Sequence, residues 1–154
     1  MQEDFQIVDL QNHDSQKRFK QIIDWFETLT QETLGQISSI YSADTRFRDP
    51  FNHITGLELV TKVYQHMFDT LQTPRFVITN SVVQDMQAFI SWDFIFKIRG
   101  HAMLIQGCTH FVLNAEGRIA VHRDYWDVAE ELYEKIPVLG SLMRLLKRKF
   151  AMGH

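Results

Sequence analysis

Four segments decide the fold: 76-FVITNSVVQ-84, 88-AFISWDFIFKIR-99, 103-MLIQGCTHFVL-113 and 118-RIAVHRDYW-126. Each is rich in β-branched and aromatic residues and bounded by turn formers, so each predicts a strand. Asn114-Ala115-Glu116-Gly117 joins the last two as a turn, and Gly107 suggests a bulge or bend in the third. The result is an antiparallel meander.

Upstream of the meander the period is helical. Phe19, Ile22, Ile23, Phe26 and Leu29 form one apolar stripe from Asp14 or Ser15 onward, widened by Trp25. Thr30 reads as the cap of a second helix carrying Leu34, Ile37, Ile40 and Tyr41. Thr45 to Asp49 reads as a short strand stopped by Pro50. Thr55-Gly56-Leu57-Glu58 has capping-box spacing and opens a third helix, whose face runs from Leu57 through Tyr64 and Phe68 to Leu71. Downstream, Asp127 with Glu130 starts a further helix that Pro137 ends. This order predicts an α+β fold: a cone-shaped α+β barrel, its helices packed on the concave face of a curved, mostly antiparallel sheet. The interior of such a cone is apolar and open at one end.

At 154 residues the chain fits a single domain, with residues 1–13 as a polar lead-in and 136–150 as an amphipathic basic C-terminal helix. That helix sets Leu139, Leu142, Leu145 and Leu146 against Arg144, Lys147, Arg148 and Lys149. It either packs on its own domain or a partner subunit, or lies on an anionic membrane surface. A net charge of −3 argues against nucleic acid as a partner. The one cysteine, Cys108, excludes an internal disulfide and a multi-cysteine zinc site. No stretch approaches a transmembrane span and the acidic N-terminus lacks a secretory apolar run, so the cytoplasm is the expected location.

Two segments could carry chemistry. In Phe47-Arg48-Asp49-Pro50-Phe51 the aspartate precedes proline at a strand end, between two aromatic rings. Partial desolvation there would make a carboxylate a better base. The same residue could instead cap the turn, or pair with Arg46 or Arg48. In His122-Arg123-Asp124-Tyr125-Trp126, strand alternation puts His122, Asp124 and Trp126 on one face. Residues two apart lie ~7 Å apart along a strand, within side-chain reach. A His–Asp pair there either faces an aromatic pocket or makes a structural hydrogen bond. Trp92, Phe94 and Phe96 form a stripe that serves as core, as pocket wall, or as both. Thr109 and His110 point to opposite faces, so only one faces a pocket. The seven scattered histidines build no metal site, His122, Asp124 and Asp49 being only a weak set, and no phosphate loop or dinucleotide fingerprint calls for a cofactor.

The series Tyr41…Asp49-Pro50…Gly56…Tyr64…Glu116-Gly117-Arg118-Ile119…Tyr125-Trp126 resembles the ketosteroid isomerase branch of the nuclear transport factor 2-like superfamily, and the SnoaL-like proteins within it, over residues 15–127. The resemblance places Asp49 on the isomerases' proton-transferring base, and Tyr41 and Tyr64 on tyrosines that support their oxyanion hole. Its two oxyanion donors fall on Trp25 and Thr109, whose indole N–H and hydroxyl are weaker substitutes. One lost donor costs on the order of 10²–10³ in rate, so an ordinary steroid isomerase is not implied. The implied pocket is walled by Trp25, Tyr41, Phe47, Phe51, Tyr64, Phe68, Trp92, Phe94, Thr109, Phe111 and Trp126, and takes a small apolar ligand with a polar or carbonyl group. Two functions fit. One is a cofactor-free isomerase or cyclase in which Asp49 moves the proton and His122, oriented by Asp124, is the complementary acid. The other is a non-catalytic ligand-binding or interaction domain. A homodimer through the convex sheet face is the expectation for both.

Overall fold

The computed structural model describes residues 2–133, with side chains described from His13 to Glu131. The expected C-terminal helix at 136–150, its membrane alternative, and the helix end at Pro137 lie outside those residues. The chain runs from α1 (Gln2–Glu27) through a 3-10 turn (Thr33–Gln36) and the single turn α2 (Ile37–Ile40) into β1 (Tyr41–Arg48) and β2 (His53–Thr55). Then come α3 (Leu57–Thr70), β3 (Gln72–Gln84), β4 (Gln87–Ile98), β5 (His101–Leu113), β6 (Ile119–Tyr125) and a π-helical turn at Ala129–Tyr133.

The strands form one sheet in the order β2-β1-β6-β5-β4-β3. All neighbours are antiparallel except β1 and β6, which run parallel with Phe47 opposite His122. The fold is thus α+β with a curved, mostly antiparallel sheet, but that sheet stays open between its edge strands β2 and β3 instead of closing into a barrel. The apolar stripe of α1 is what attaches it: Phe19, Ile22, Trp25 and Phe26 are buried in one cluster with Tyr41, Phe47, Val60, Tyr64, Phe111 and Ile119. A second cluster, Trp92, Phe96, Met103 and Ile105, occupies the far end of the meander. No helix among the described residues is long and apolar enough to cross a membrane.

Several elements differ from the sequence expectation, each for a local reason. Helix α1 begins at Gln2, so most of the expected lead-in is helical. Thr30 does exchange hydrogen bonds with Thr33, but the turn it starts is 3-10, and Tyr41 has left the helix to open β1. The capping box at Thr55 does not form. Thr55 belongs to β2, Gly56 with φ 105° precedes the helix, and Glu58 bonds Lys62 instead. Gly107 makes no bulge: β4 and β5 pair without a break and Gly107 lies opposite Trp92. A Cβ there would overlap the Trp92 ring, so the glycine provides room for an indole. The register shifts lie elsewhere, at Tyr41/Arg46 in β1, at Gln72/Arg75 and Ile78/Asn80 in β3 and at Val112/Leu113 in β5.

Candidate functional site

Strand alternation determines what faces the helices. On β4 the even-numbered side chains Ile90, Trp92, Phe94, Phe96 and Ile98 point the same way, and on β5 so do Ile105, Thr109 and Phe111. Together with His122, Asp124 and Trp126, one face of α3 (Val63, Tyr64, Met67) and Leu71 just beyond it, they line a cavity of about 360 Å³. That is at the small end of the range for ligand pockets. Its lining is overwhelmingly apolar and, among the described residues, includes no lysine or arginine; the ionisable residues described there are Asp49, Asp124, His66, Tyr64 and His122.

The polar floor is a hydrogen-bonded network with two branches. Trp92 Nε1–H donates to Thr109 Oγ1 at 2.7 Å, and the Thr109 hydroxyl donates to Asp124 Oδ1 at 2.5 Å. On the other branch His122 Nε2 meets the same Oδ1 at 2.7 Å. His122 Nδ1 lies 2.7 Å from the Tyr41 hydroxyl, which lies 2.7 Å from that of Tyr64. Donor–acceptor matching orders the second branch for a neutral imidazole. Nε2–H donates to the carboxylate, Nδ1 accepts from Tyr41, and the Tyr41 oxygen accepts from Tyr64. Both branches then deliver protons toward Asp124.

Burial shapes the members of this network. Tyr41 is completely buried and its phenol is pushed well above the ordinary value of 10, by desolvation first, then by Tyr64 and the Asp124 charge. Desolvation also raises Tyr64, with the Asp124 and Asp49 charges adding to it. Both phenols therefore stay protonated. His122 is 4% exposed and the Asp124 side chain 16%. Among the described residues Oδ2 of Asp124 accepts no hydrogen bond, and the residue lines the cavity. One carboxylate oxygen is clamped and, among the described residues, the other has no partner.

Asp49 lines the same cavity, half-buried, one residue beyond the end of β1. Its carboxylate follows the turn-capping alternative: Oδ1 accepts from Phe51 N (2.7 Å), Asn52 N (2.5 Å) and Asn52 Nδ2, and Oδ2 also accepts from Asn52 Nδ2 (2.9 Å). Beside it the exposed Phe51 ring packs edge-on against Trp126 at 5.6 Å, at the cavity mouth.

The structure brings Asp49, His122 and Asp124 to one cavity, together with Phe47, Phe51, Tyr64, Trp92, Phe94, Thr109, Phe111 and Trp126. Three expected wall residues do not line it. Trp25 turns its indole N–H to Thr33 O at 3.3 Å and packs edge-on against Tyr41 and Tyr64. Tyr41 lies beneath the floor, and Phe68 packs against the core cluster. The substitute oxyanion donors are thus both committed, Trp25 to a backbone carbonyl and Thr109 to Asp124. Of the Thr109–His110 pair it is Thr109 that faces the cavity, while His110 stacks on Phe89 at 4.4 Å. Ile90 and Met67 also line it, and strand parity with Trp92 and the α3 stripe carry the signal for them. Among the described residues no three His, Cys, Asp or Glu side chains stand where they could hold a metal ion. Burial raises the Cys108 thiol, away from the reactive thiolate.

Residues 22–122 match the model of the SnoaL-like domain family. Among solved structures, an LEH-like epoxide hydrolase from M. tuberculosis is similar at TM-score 0.65 and 15% identity, over 90% of this chain and 96% of that one. An NTF2-like protein of unknown function from Burkholderia pseudomallei K96243 is similar at TM-score 0.65 and 13% identity, over 75% and 92% of the two chains. A putative SnoaL-like polyketide cyclase from Shewanella putrefaciens CN-32 is similar at TM-score 0.64 and 15% identity, over 79% and 98%. At such identities the likeness is one of fold. No curated protein matches the chain.

Proposed function

We propose that this chain, which belongs to the SnoaL-like domain family, binds a small apolar molecule through one polar group and transfers a proton on it without a cofactor. The observation that carries this reading is Asp124, which lines an apolar cavity: Oδ1 is held by Thr109 and His122, and among the described residues Oδ2 has no partner. Asp124 is the proton acceptor. It takes a proton from the bound molecule at Oδ2, and the electron pair stays on the atom that lost it. His122 and Thr109 are positioning residues, because every polar atom they direct at the network meets another protein group. Asp49 closes the mouth and keeps one lightly used oxygen near the entering group.

With both substitute oxyanion donors turned away, a simple ketone gains little stabilisation of its enolate. The chemistry therefore suits groups that are already acidic. 2-Tetralone, an apolar bicyclic ketone with activated α-hydrogens, serves as probe. Thermal shift reads its binding, and NMR reads exchange of its α-hydrogens in D₂O. Binding with exchange above the buffer rate, the exchange lost in Asp124→Asn, is the expected result. Binding without acceleration would leave a non-catalytic ligand-binding domain, which the committed donors Trp25 and Thr109 favour as the second reading. No binding of this ligand type would reject both.

A further inference from the structure

The floor of the cavity is chemically one-sided. The Trp92 N–H, the Thr109 hydroxyl, the His122 Nε2–H and the Tyr41 and Tyr64 hydroxyls are all matched to protein acceptors when the network converges on Asp124. Among the described residues Oδ2 of Asp124 has no partner, and Asp124 lines the cavity together with Asp49. Among the described residues no lysine or arginine lines the cavity, Arg48 and Arg123 line the open groove that shares Asp49, Asp124 and Trp126 with it, and His66 stands at the exposed rim. His122 points both ring nitrogens into the network. An arriving anion would meet the like charge of two carboxylates, and every donor of the network is already matched. A donor group meets a free acceptor.

The walls favour one kind of donor. Trp92, Trp126, Phe47, Phe76, Phe94 and Phe96 line the same cavity, and the faces of such rings attract cations, most strongly when water is excluded. A carboxylate at the end of an aromatic passage is complementary to an ammonium on an apolar body. We infer that the ligand class of this cavity is an apolar amine bound as its ammonium, N–H to Asp124 Oδ2. The inference rests on the pocket reading above and names the polar group left open there. It is compatible with the proton transfer as well. An ammonium that gives its proton to Oδ2 becomes a neutral amine, with the nitrogen lone pair released as a nucleophile.

Three probes with one bicyclic body isolate the polar group: 2-aminotetralin, 2-tetralol and tetralin-2-carboxylate. Titration calorimetry near neutral pH on the full chain gives each Kd. The expected ranking is the amine at least about tenfold tighter than the alcohol, with no measurable carboxylate binding. In Asp124→Asn the amine's advantage over the alcohol should disappear. Alcohol or carboxylate binding as tightly as the amine would overturn the inference while leaving the pocket reading intact. So would an amine preference that survives in Asp124→Asn. If none of the three binds, the pocket reading falls together with the inference. The wild-type ranking decides the question even if the variant does not fold.

Discussion

Among individual residues, the two aspartates show how neighbours assign roles. Both line the cavity, yet Asp49 gives its carboxylate to three N–H groups of its own turn, while Asp124 keeps Oδ2 open. The spacing of His122 and Asp124 on one strand face was legible in the sequence, because parity depends on nothing but the strand. The uses of Trp25 and Thr109 were not. Whether an indole N–H faces a pocket or a carbonyl eight residues away depends on where the chain turns after α1. One further residue is informative. Thr45 is fully buried and its hydroxyl is without a hydrogen-bond partner. Replacing it by the isosteric valine removes an unsatisfied polar atom, so Thr45→Val should raise stability by about 1 kcal/mol in urea unfolding. A loss of stability would mean that the hydroxyl has a partner in solution.

At the scale of elements, the meander is legible because four strands in series repeat one local rule. Its edges are less so. β1 begins at Tyr41 and not Thr45, since parallel pairing with β6 recruits residues whose sequence looked helical. That pairing sets Phe47 beside His122 and so joins the two candidate segments, a contact between distant parts of the chain that no local period reveals. The β4–β5 pair supplies a sharper test. Gly107 has room for no Cβ beneath the Trp92 indole, which anchors one branch of the network. Gly107→Ala should therefore cost about 1–3 kcal/mol through overpacking and displace Trp92. The check is urea unfolding together with tryptophan fluorescence, where unchanged stability and an unchanged spectrum would show that the indole is not tightly seated.

For the molecule as a whole, the buried phenols tie stability to pH. Tyr41 and Tyr64 are both raised above 10 in the folded state, burial being the first cause. Unfolded tyrosines ionise near 10, so their contribution is complete below that pH and is lost as the pH rises toward the folded values. Urea midpoints should fall between pH ~10 and ~11, and less steeply in Tyr41→Phe, which has one fewer phenol to ionise. Equal slopes would place that ionisation elsewhere. The outward sheet face carries the exposed Val82, Phe89 and Tyr125, Val82 and Phe89 being cross-strand partners. The homodimer proposed through this face predicts a dimer by sedimentation at micromolar concentration, and a monomer there would reject it.

The account centres on a clamped carboxylate that receives the ligand inside an apolar cavity. The most direct measurement is ¹³C NMR of the aspartate side-chain carboxyls during titration with 2-tetralone. The Asp124 resonance should move saturably, while exposed Asp44, Asp69 and Asp85 stay in place. A saturating ligand that leaves Asp124 unmoved would contradict the account.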